Sequence, residues 1–140
     1  MERFIRSVEI ALDSKDWYGA LSTALTLPDI CGRLSDPTAT TKTRYVAWFD
    51  EYMLPRYESY VGADRHHHVF LSGRDCYALR CSYLHEGGDS IAEQSARQAL
   101  HRFHFVSPRP NWTVHCNQSD SVLQLQVDVF CQSYCLKVWK

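Results

Sequence analysis

The chain of 140 residues has the length of one ordinary domain, and its composition excludes several classes of protein. Hydrophobic residues make up 45% and charged residues 22%, which is typical of a globular protein and excludes a disordered chain. The formal net charge of −1 provides no overall attraction to nucleic acid or to a membrane surface. No segment predicts a membrane span, and the N-terminal segment lacks the apolar run of a signal peptide.

The first part of the chain predicts three helices. Apolar residues at helical spacing predict a first helix, which the polar residues 13–16 end. A second helix is expected over residues 16–30, and Pro28 predicts that it stops or kinks near Leu27. After a polar connector, an aromatic stripe predicts a third helix over residues 41–57.

The middle of the chain predicts a loop followed by a fourth helix. Residues 60–68 are expected to form the loop. Ser72 is a favourable N-cap, and Asp75, three residues further on, completes a capping-box pattern. This helix is expected to end at the Gly-Gly pair 87–88, and residues 91–100 are expected to form another short helix.

In the last third of the chain the hydrophobic pattern changes from helical spacing to alternation. Phe103 and Phe105 predict a strand. Residues 112–116 and 123–127 also alternate, and the turn-like stretch between them predicts that they pair as an antiparallel hairpin. From Asp128 the spacing is helical again.

These elements predict one domain over residues 1–140 with a mainly α fold. Residues 1–100 are expected to be helical, and a small antiparallel β-hairpin or sheet and a final helix follow over residues 101–140. The predicted architecture is a helical bundle with a small sheet appended near the C-terminus.

The cysteines predict free thiols rather than a disulfide framework. Six cysteines without a signal peptide or short framework spacing favour a cytoplasmic protein in which they are small buried hydrophobes. Cys131 and Cys135 share one helical face, whereas Cys76 and Cys81 lie about 140° apart around a helix, which is poor for chelation. A zinc site assembled from cysteines by folding is the less favoured alternative.

The run His66-His67-His68, with Asp64 nearby, is a weak candidate for a metal site. Three adjacent side chains in regular structure cannot all point at one ion, and tetrahedral sites usually take their ligands from two elements. An exposed polar segment is the favoured interpretation. A metal-binding regulator is the alternative, and neither a metal nor a cofactor is predicted.

The segment from Arg80 to His85 is the strongest candidate for a functional site, because both residues are hydrophilic on a helix whose other inner positions are apolar. A guanidinium can hold a phosphate, and an imidazole can transfer a proton near neutral pH. Together they are the minimum set for metal-free cleavage of RNA. The two residues lie about 140° apart on one helix, so two copies of the helix facing each other across a two-fold axis are needed to surround a phosphate.

A structural role is the alternative for the same two residues. Arg80 could pair with a carboxylate on the third helix, either Asp50 or Glu51. His85 could interact with the negative end of its own helix.

The motif Arg80-x4-His85, followed by Glu86 and a glycine, resembles the signature of the HEPN superfamily. These are all-helical domains that include metal-independent endoribonucleases of toxin–antitoxin and phage-defence systems, and also non-catalytic binding modules. The wider string over residues 71–87 is similar to that of small bacterial HEPN-like proteins. The family often has a polar residue directly after the arginine, where this chain has Cys81.

The resemblance implies a HEPN-like helical bundle and two possible functions. The first is an endoribonuclease that acts as a homodimer on RNA, with Arg80 and His85 catalytic and with Ser82, Tyr83 and Glu86 expected to contact the substrate. The second is a non-catalytic module that binds a nucleotide or a protein partner at the same groove. The near-neutral net charge favours the second function.

Overall fold

The computed structural model describes residues 1–86 and 102–138, and this part of the chain is mainly α-helical with two small sheets. The helices are α1 (Glu2–Asp13), α2 (Trp17–Ser35), α3 (Thr41–Tyr52), α4 (Gly73–Glu86) and α5 (Val127–Val138), with a short 3₁₀ turn at Leu54–Arg56. The strands are β1 (Glu58–Val61), β2 (His66–Val69), β3 (Arg102–Val106), β4 (Asn117–Ser119) and β5 (Val122–Gln126). No helix in the two described ranges has the length and apolar content needed to cross a membrane. The predicted glycine C-cap at 87–88 and the predicted helix over 91–100 lie outside the described residues.

The boundary between α1 and α2 follows from two local features. Lys15 has a positive φ of 58°, which turns the chain sharply after α1. Asp16 then caps α2, because its Oδ1 accepts a hydrogen bond from the backbone N–H of Gly19 at 2.9 Å. The predicted end of the first helix is confirmed.

Of the two alternatives predicted at Pro28, a stop near Leu27 is wrong, because helix α2 continues through Pro28 to Ser35. Tertiary contacts after the proline offset the hydrogen bond that it cannot make. Asp29 forms an ion pair with Arg44 of α3, with 2.7 Å between Oδ1 and Nε. One turn later, α2 and α3 approach closely: a Cβ at Gly32 would lie only 2.6 Å from the carbonyl oxygen of Arg44.

Helix α3 ends at Tyr52, earlier than the predicted boundary at Tyr57. Pro55 has no N–H to continue the helical ladder and restricts the residue before it, so the chain closes in the 3₁₀ turn instead. This turn directs Tyr57 into the core, where its side chain is fully buried.

Residues 60–68 were predicted as a loop, but most of them belong to an antiparallel hairpin of β1 and β2. The turn of the hairpin is supplied by Gly62 and Arg65, both of which have positive φ. Tyr60 and His67 are partners across the two strands, and their ring centroids lie 5.6 Å apart. The histidine run is thus part of a strand rather than of a loop.

Helix α4 begins as predicted, with Ser72 as its N-cap. The Ser72 hydroxyl accepts from the backbone N–H of Asp75 at 3.2 Å and donates to Asp75 Oδ2 at 2.7 Å. A second carboxylate supports the same end of the helix, because Asp50 Oδ1 of α3 accepts from the backbone N–H of Gly73 at 2.8 Å. Contacts with α2 and α3 then pack α4 against the helical bundle.

The C-terminal sheet has the order β3-β5-β4, and it is mixed rather than antiparallel as predicted. The predicted strand around Phe103 and Phe105 is confirmed, but it pairs in parallel with β5. In this register Phe103 lies opposite Leu123 and Phe105 opposite Leu125. All four apolar side chains therefore lie on one face of the sheet and pack into or against the core.

Residues 112–116 do not form the predicted strand, and the hairpin partner of β5 is β4 instead. Positive φ values at Asn111 and Cys116 break the extended chain on either side of this stretch. Both edges of β5 are already occupied, by β3 and by β4. A positive φ at Asp120 forms the tight turn between β4 and β5.

The core contains a buried polar connection among three helices. The Cys76 thiol of α4 lies 3.4 Å from the Tyr45 hydroxyl of α3 and 3.2 Å from the Tyr134 hydroxyl of α5. All three side chains are fully buried. Burial raises the pKa of Cys76 to about 12, so the thiol stays protonated and able to hydrogen-bond. All six cysteines of the chain are free thiols in the structure.

Candidate site on helix α4

Arg80 is half-buried on α4 and lies over an aromatic ring. Its guanidinium carbon is 6.0 Å from the ring centroid of Tyr77, which precedes it by nearly one helical turn. The Nε atom of Arg80 is buried, and it has no hydrogen-bond partner among the described residues.

Asp50 and Glu51, the two carboxylates that could pair with Arg80 in a structural role, hydrogen-bond to other groups. Asp50 accepts the backbone N–H of Gly73. Glu51 hydrogen-bonds the hydroxyl of Tyr52, which raises the pKa of that tyrosine. Within residues 1–86 and 102–138, Arg80 forms no ion pair, so its positive charge is not neutralised by a carboxylate in this part of the chain.

His85 lies in the last turn of α4 and is exposed to solvent. The helical row Tyr77, Cys81, His85 runs along one face, and Arg80 lies on a different face. A single copy of α4 therefore does not bring Arg80 and His85 to one point, as their spacing of about 140° predicts.

The three predicted substrate-contacting residues differ in their accessibility. Ser82 is buried, with 1% of its surface exposed, so its hydroxyl lies inside the molecule. Tyr83 is half-buried at the wall of a surface cleft. The side chain of Glu86 lies outside the described part of the structure.

The cleft beside Tyr83 has a volume of about 700 Å³ and lies between the start of α2, helix α4 and strand β3. Tyr18 stacks on Tyr83, with 5.2 Å between ring centroids and 29° between ring planes. Phe105 packs against Tyr83 in a T-shaped arrangement, with 6.2 Å between ring centroids. Trp17 and His104 also line the cleft, so aromatic rings supply much of its wall.

Burial raises the pKa of Tyr83 to about 12, and the neighbouring Tyr18 adds to this shift. The Tyr83 hydroxyl is therefore neutral at physiological pH and can act as a hydrogen-bond donor. The sequence pattern indicated Tyr83 as a candidate but indicated neither Tyr18 nor the cleft. The available signal was that Tyr18 precedes Leu21 and Leu25 by three and seven residues, which places a large aromatic residue at the edge of the apolar stripe in the first turn of α2.

The three adjacent histidines bind separate partners. His67 Nε2 lies 3.1 Å from Glu58 Oε2, and His68 Nε2 lies 2.8 Å from Gln118 Oε1. His66 is exposed, and its Nε2 is 3.8 Å from Asp64 Oδ2. In the described ranges, no group of three or more histidine, cysteine, aspartate or glutamate side chains has an arrangement that could hold a metal ion.

A smaller cavity of about 220 Å³ contains His115 and Arg56 and was not anticipated from the sequence. The ring of His115 packs 5.7 Å from that of Tyr57, and burial lowers the pKa of His115. The lowered pKa disfavours the positively charged form of this imidazole.

Comparison with known proteins neither supports nor contradicts the resemblance to HEPN domains. No family model, no curated protein and no solved structure matches the chain. The resemblance therefore rests on the Arg80-x4-His85 motif, and HEPN membership stays a prediction.

Proposed function

We propose that the protein is a metal-independent endoribonuclease that acts as a homodimer on single-stranded RNA, with Arg80 and His85 at the site. The observation that carries this proposal is the state of Arg80. Its guanidinium is half-buried against Tyr77, its Nε–H is buried, and no carboxylate of the described residues neutralises it. Such a group is suited to a phosphodiester, whose oxygens accept charge-assisted hydrogen bonds.

The reaction needs only the substrate and the side chains of two copies of α4. The ribose 2′-oxygen forms a bond to phosphorus and the bond from phosphorus to the 5′-oxygen breaks, which leaves a cyclic phosphate and a 5′-hydroxyl. His85 takes the proton of the 2′-hydroxyl and then, as the imidazolium, gives a proton to the leaving 5′-oxygen. Arg80 stabilises the negative charge that builds on the phosphoryl oxygens.

Dimerisation is part of the proposal because of the helical geometry. Arg80 and His85 point about 140° apart from one helix, so one copy cannot contact the same phosphate with both. Two antiparallel α4 helices related by a two-fold axis place the Arg80 of each copy near the His85 of the other. His85 is exposed in a single chain and is therefore available for such an arrangement.

The direct test is cleavage of single-stranded RNA in the presence of EDTA. We expect wild-type protein to cut, and we expect His85→Ala to lower the rate by at least about 100-fold, since general acid–base catalysis contributes this much or more. His66→Ala is the matched control, because His66 is also an exposed histidine but lies on the β1–β2 hairpin. Equal rates for wild type and His85→Ala, or no cleavage of any single-stranded substrate by wild type, would contradict the proposal.

A non-catalytic binding module is the second candidate, and the net charge of −1 together with the aromatic cleft favours it. A module of this kind binds a nucleotide or a protein without cutting RNA. It is supported if ligand binding is unchanged in His85→Ala and wild-type protein leaves RNA intact.

A further inference from the structure

We propose that the aromatic cleft between α2, α4 and β3 binds one purine or pyrimidine base of single-stranded RNA, stacked on the Tyr18–Tyr83 pair. This inference deepens the proposed function and rests on it for the link to cleavage. It assigns base recognition to side chains other than Arg80 and His85.

The exposure of Tyr18 provides the stacking surface. Its side chain is 58% exposed although one ring face is stacked on Tyr83, so the opposite face is open to solvent. Tyr83 in turn forms a T-shaped contact with Phe105, which restricts the orientation of the pair. Stacking of a base on an aromatic side chain contributes roughly 1–3 kcal/mol and accepts any base, because every base has a π-face.

The polar groups of the cleft suit one nucleotide rather than a long polyanion. His104 and Ser107 lie at the rim and can hydrogen-bond the edge of a base. Lys15 forms no ion pair in the described ranges, so its ammonium group can contact one phosphate. The nearby Asp16 carboxylate is occupied as the cap of α2. The volume of about 700 Å³ is ample for a single base and its ribose.

Helix α4 connects the cleft to the candidate catalytic pair. Tyr83 follows Arg80 by three residues, so the two side chains are neighbours on the helix surface, about 4.5 Å apart along its axis. A base held on Tyr83 therefore brings its phosphodiester to the side of α4 that carries Arg80. Base binding in the cleft orients the scissile bond.

The test measures binding of a fluorescently labelled six-nucleotide oligoadenylate by anisotropy. All proteins carry His85→Ala so that the RNA stays intact. We expect Tyr18→Ala to raise the Kd roughly tenfold, because one stacking contact is lost. Tyr60→Ala, which removes an equally exposed tyrosine (62%) on the β1–β2 hairpin, is the matched control and should leave the Kd unchanged. Tyr18→Phe retains the ring and should bind like the parent.

Two results would overturn the base site: equal Kd values for Tyr18→Ala and Tyr60→Ala, or full competition by inorganic phosphate alone at the affinity of the oligonucleotide. Failure of the nuclease proposal gives a different pattern. In that case the Tyr18 effect on binding persists, while wild type and His85→Ala leave RNA equally intact.

Discussion

Cys76 lies where helices α3, α4 and α5 pack together, and its thiol is the hydrogen-bonding partner of two buried hydroxyl groups. Its thiol is within hydrogen-bonding distance of the Tyr45 and Tyr134 hydroxyls, and all three groups are fully buried. A hydroxyl buried in the core without a partner costs about 1–3 kcal/mol. The thiol therefore stabilises the fold in a way that an aliphatic side chain of the same size cannot.

We expect Cys76→Ala to lower the free energy of unfolding by about 1–3 kcal/mol more than Cys131→Ala does. Cys131 is the matched control, since it is also a fully buried helical cysteine but has no hydrogen bond to a side chain in the described ranges. Urea unfolding of the two variants measures the difference. Equal losses would show that the tyrosine hydroxyls do not depend on the thiol.

At the residue scale, the candidate site was only partly predictable. The spacing of Arg80 and His85 on a helix indicated both residues and their divergence around the helix. The other contacts of the site depend on residues that are far apart in the chain. Tyr18 meets Tyr83 because α2 and α4 pack together, and a contact of this kind leaves no local pattern in the sequence.

At the scale of single elements, the start of α4 combines a capping box that the sequence predicts with a buried carboxyl group. Asp75 completes the capping box with Ser72, and its other oxygen, Oδ1, is buried without a partner in the described part of the chain. Burial raises the pKa of the Asp75 carboxyl. The hydrogen bonds from Ser72 oppose that shift, and the nearby Asp50 adds to it.

A carboxyl whose pKa is raised by folding binds its proton more tightly in the folded state than in the unfolded state. Its ionisation therefore lowers stability as pH rises through the folded pKa. We expect Asp75→Asn to remove this loss, so that the free energy of unfolding of the variant, relative to wild type, increases from about pH 4 to about pH 8. Urea unfolding at several pH values measures the trend.

Asp36→Asn is the control of opposite sign. Hydrogen bonds from Thr38 lower the pKa of the exposed Asp36, so this carboxylate contributes stability above its ordinary pKa and loses it as pH falls. The variant should therefore lose stability relative to wild type as pH rises. The same pH trend for both variants would contradict the assignment for Asp75.

Element boundaries were predictable where the deciding contacts are local, and not elsewhere. The capping box at Ser72 and the cap at Asp16 act within three residues of the sequence. The continuation of α2 past Pro28 was not predictable, because Asp29 pairs with Arg44 of the next helix. Residues 112–116 alternate like a strand, yet both edges of β5 are already occupied.

At the scale of the whole molecule, the proposed nuclease is defined by two copies of the chain rather than by one. If the Arg80 of one copy acts with the His85 of the other, two inactive variants can complement each other. We expect an equal mixture of Arg80→Ala and His85→Ala, allowed to exchange subunits, to recover roughly a quarter of the wild-type rate of RNA cleavage. Half of the dimers would be mixed, and each would hold one intact composite site.

The unmixed variants and a mixture held under conditions that prevent subunit exchange are the controls, and both should stay inactive. A mixture that stays inactive after exchange would exclude a site shared between copies. Recovery far above the expected fraction would contradict the same geometry, since only one site in each mixed dimer is complete.

The sequence alone determined the features that depend on short-range patterns. These are the helical periodicity of most of the chain, the capping box of α4, the strand at Phe103 and Phe105, and the angular separation of Arg80 and His85. Each follows from backbone geometry acting over a few residues.

Only the tertiary structure decided which side chains meet. It continued α2 through Pro28, paired β3 in parallel with β5, left Arg80 without an acidic partner in the described ranges and brought Tyr18 onto Tyr83. The physical reason is that burial and pairing depend on elements distant in the chain, whose mutual positions minimise exposed apolar area and unsatisfied polar groups together.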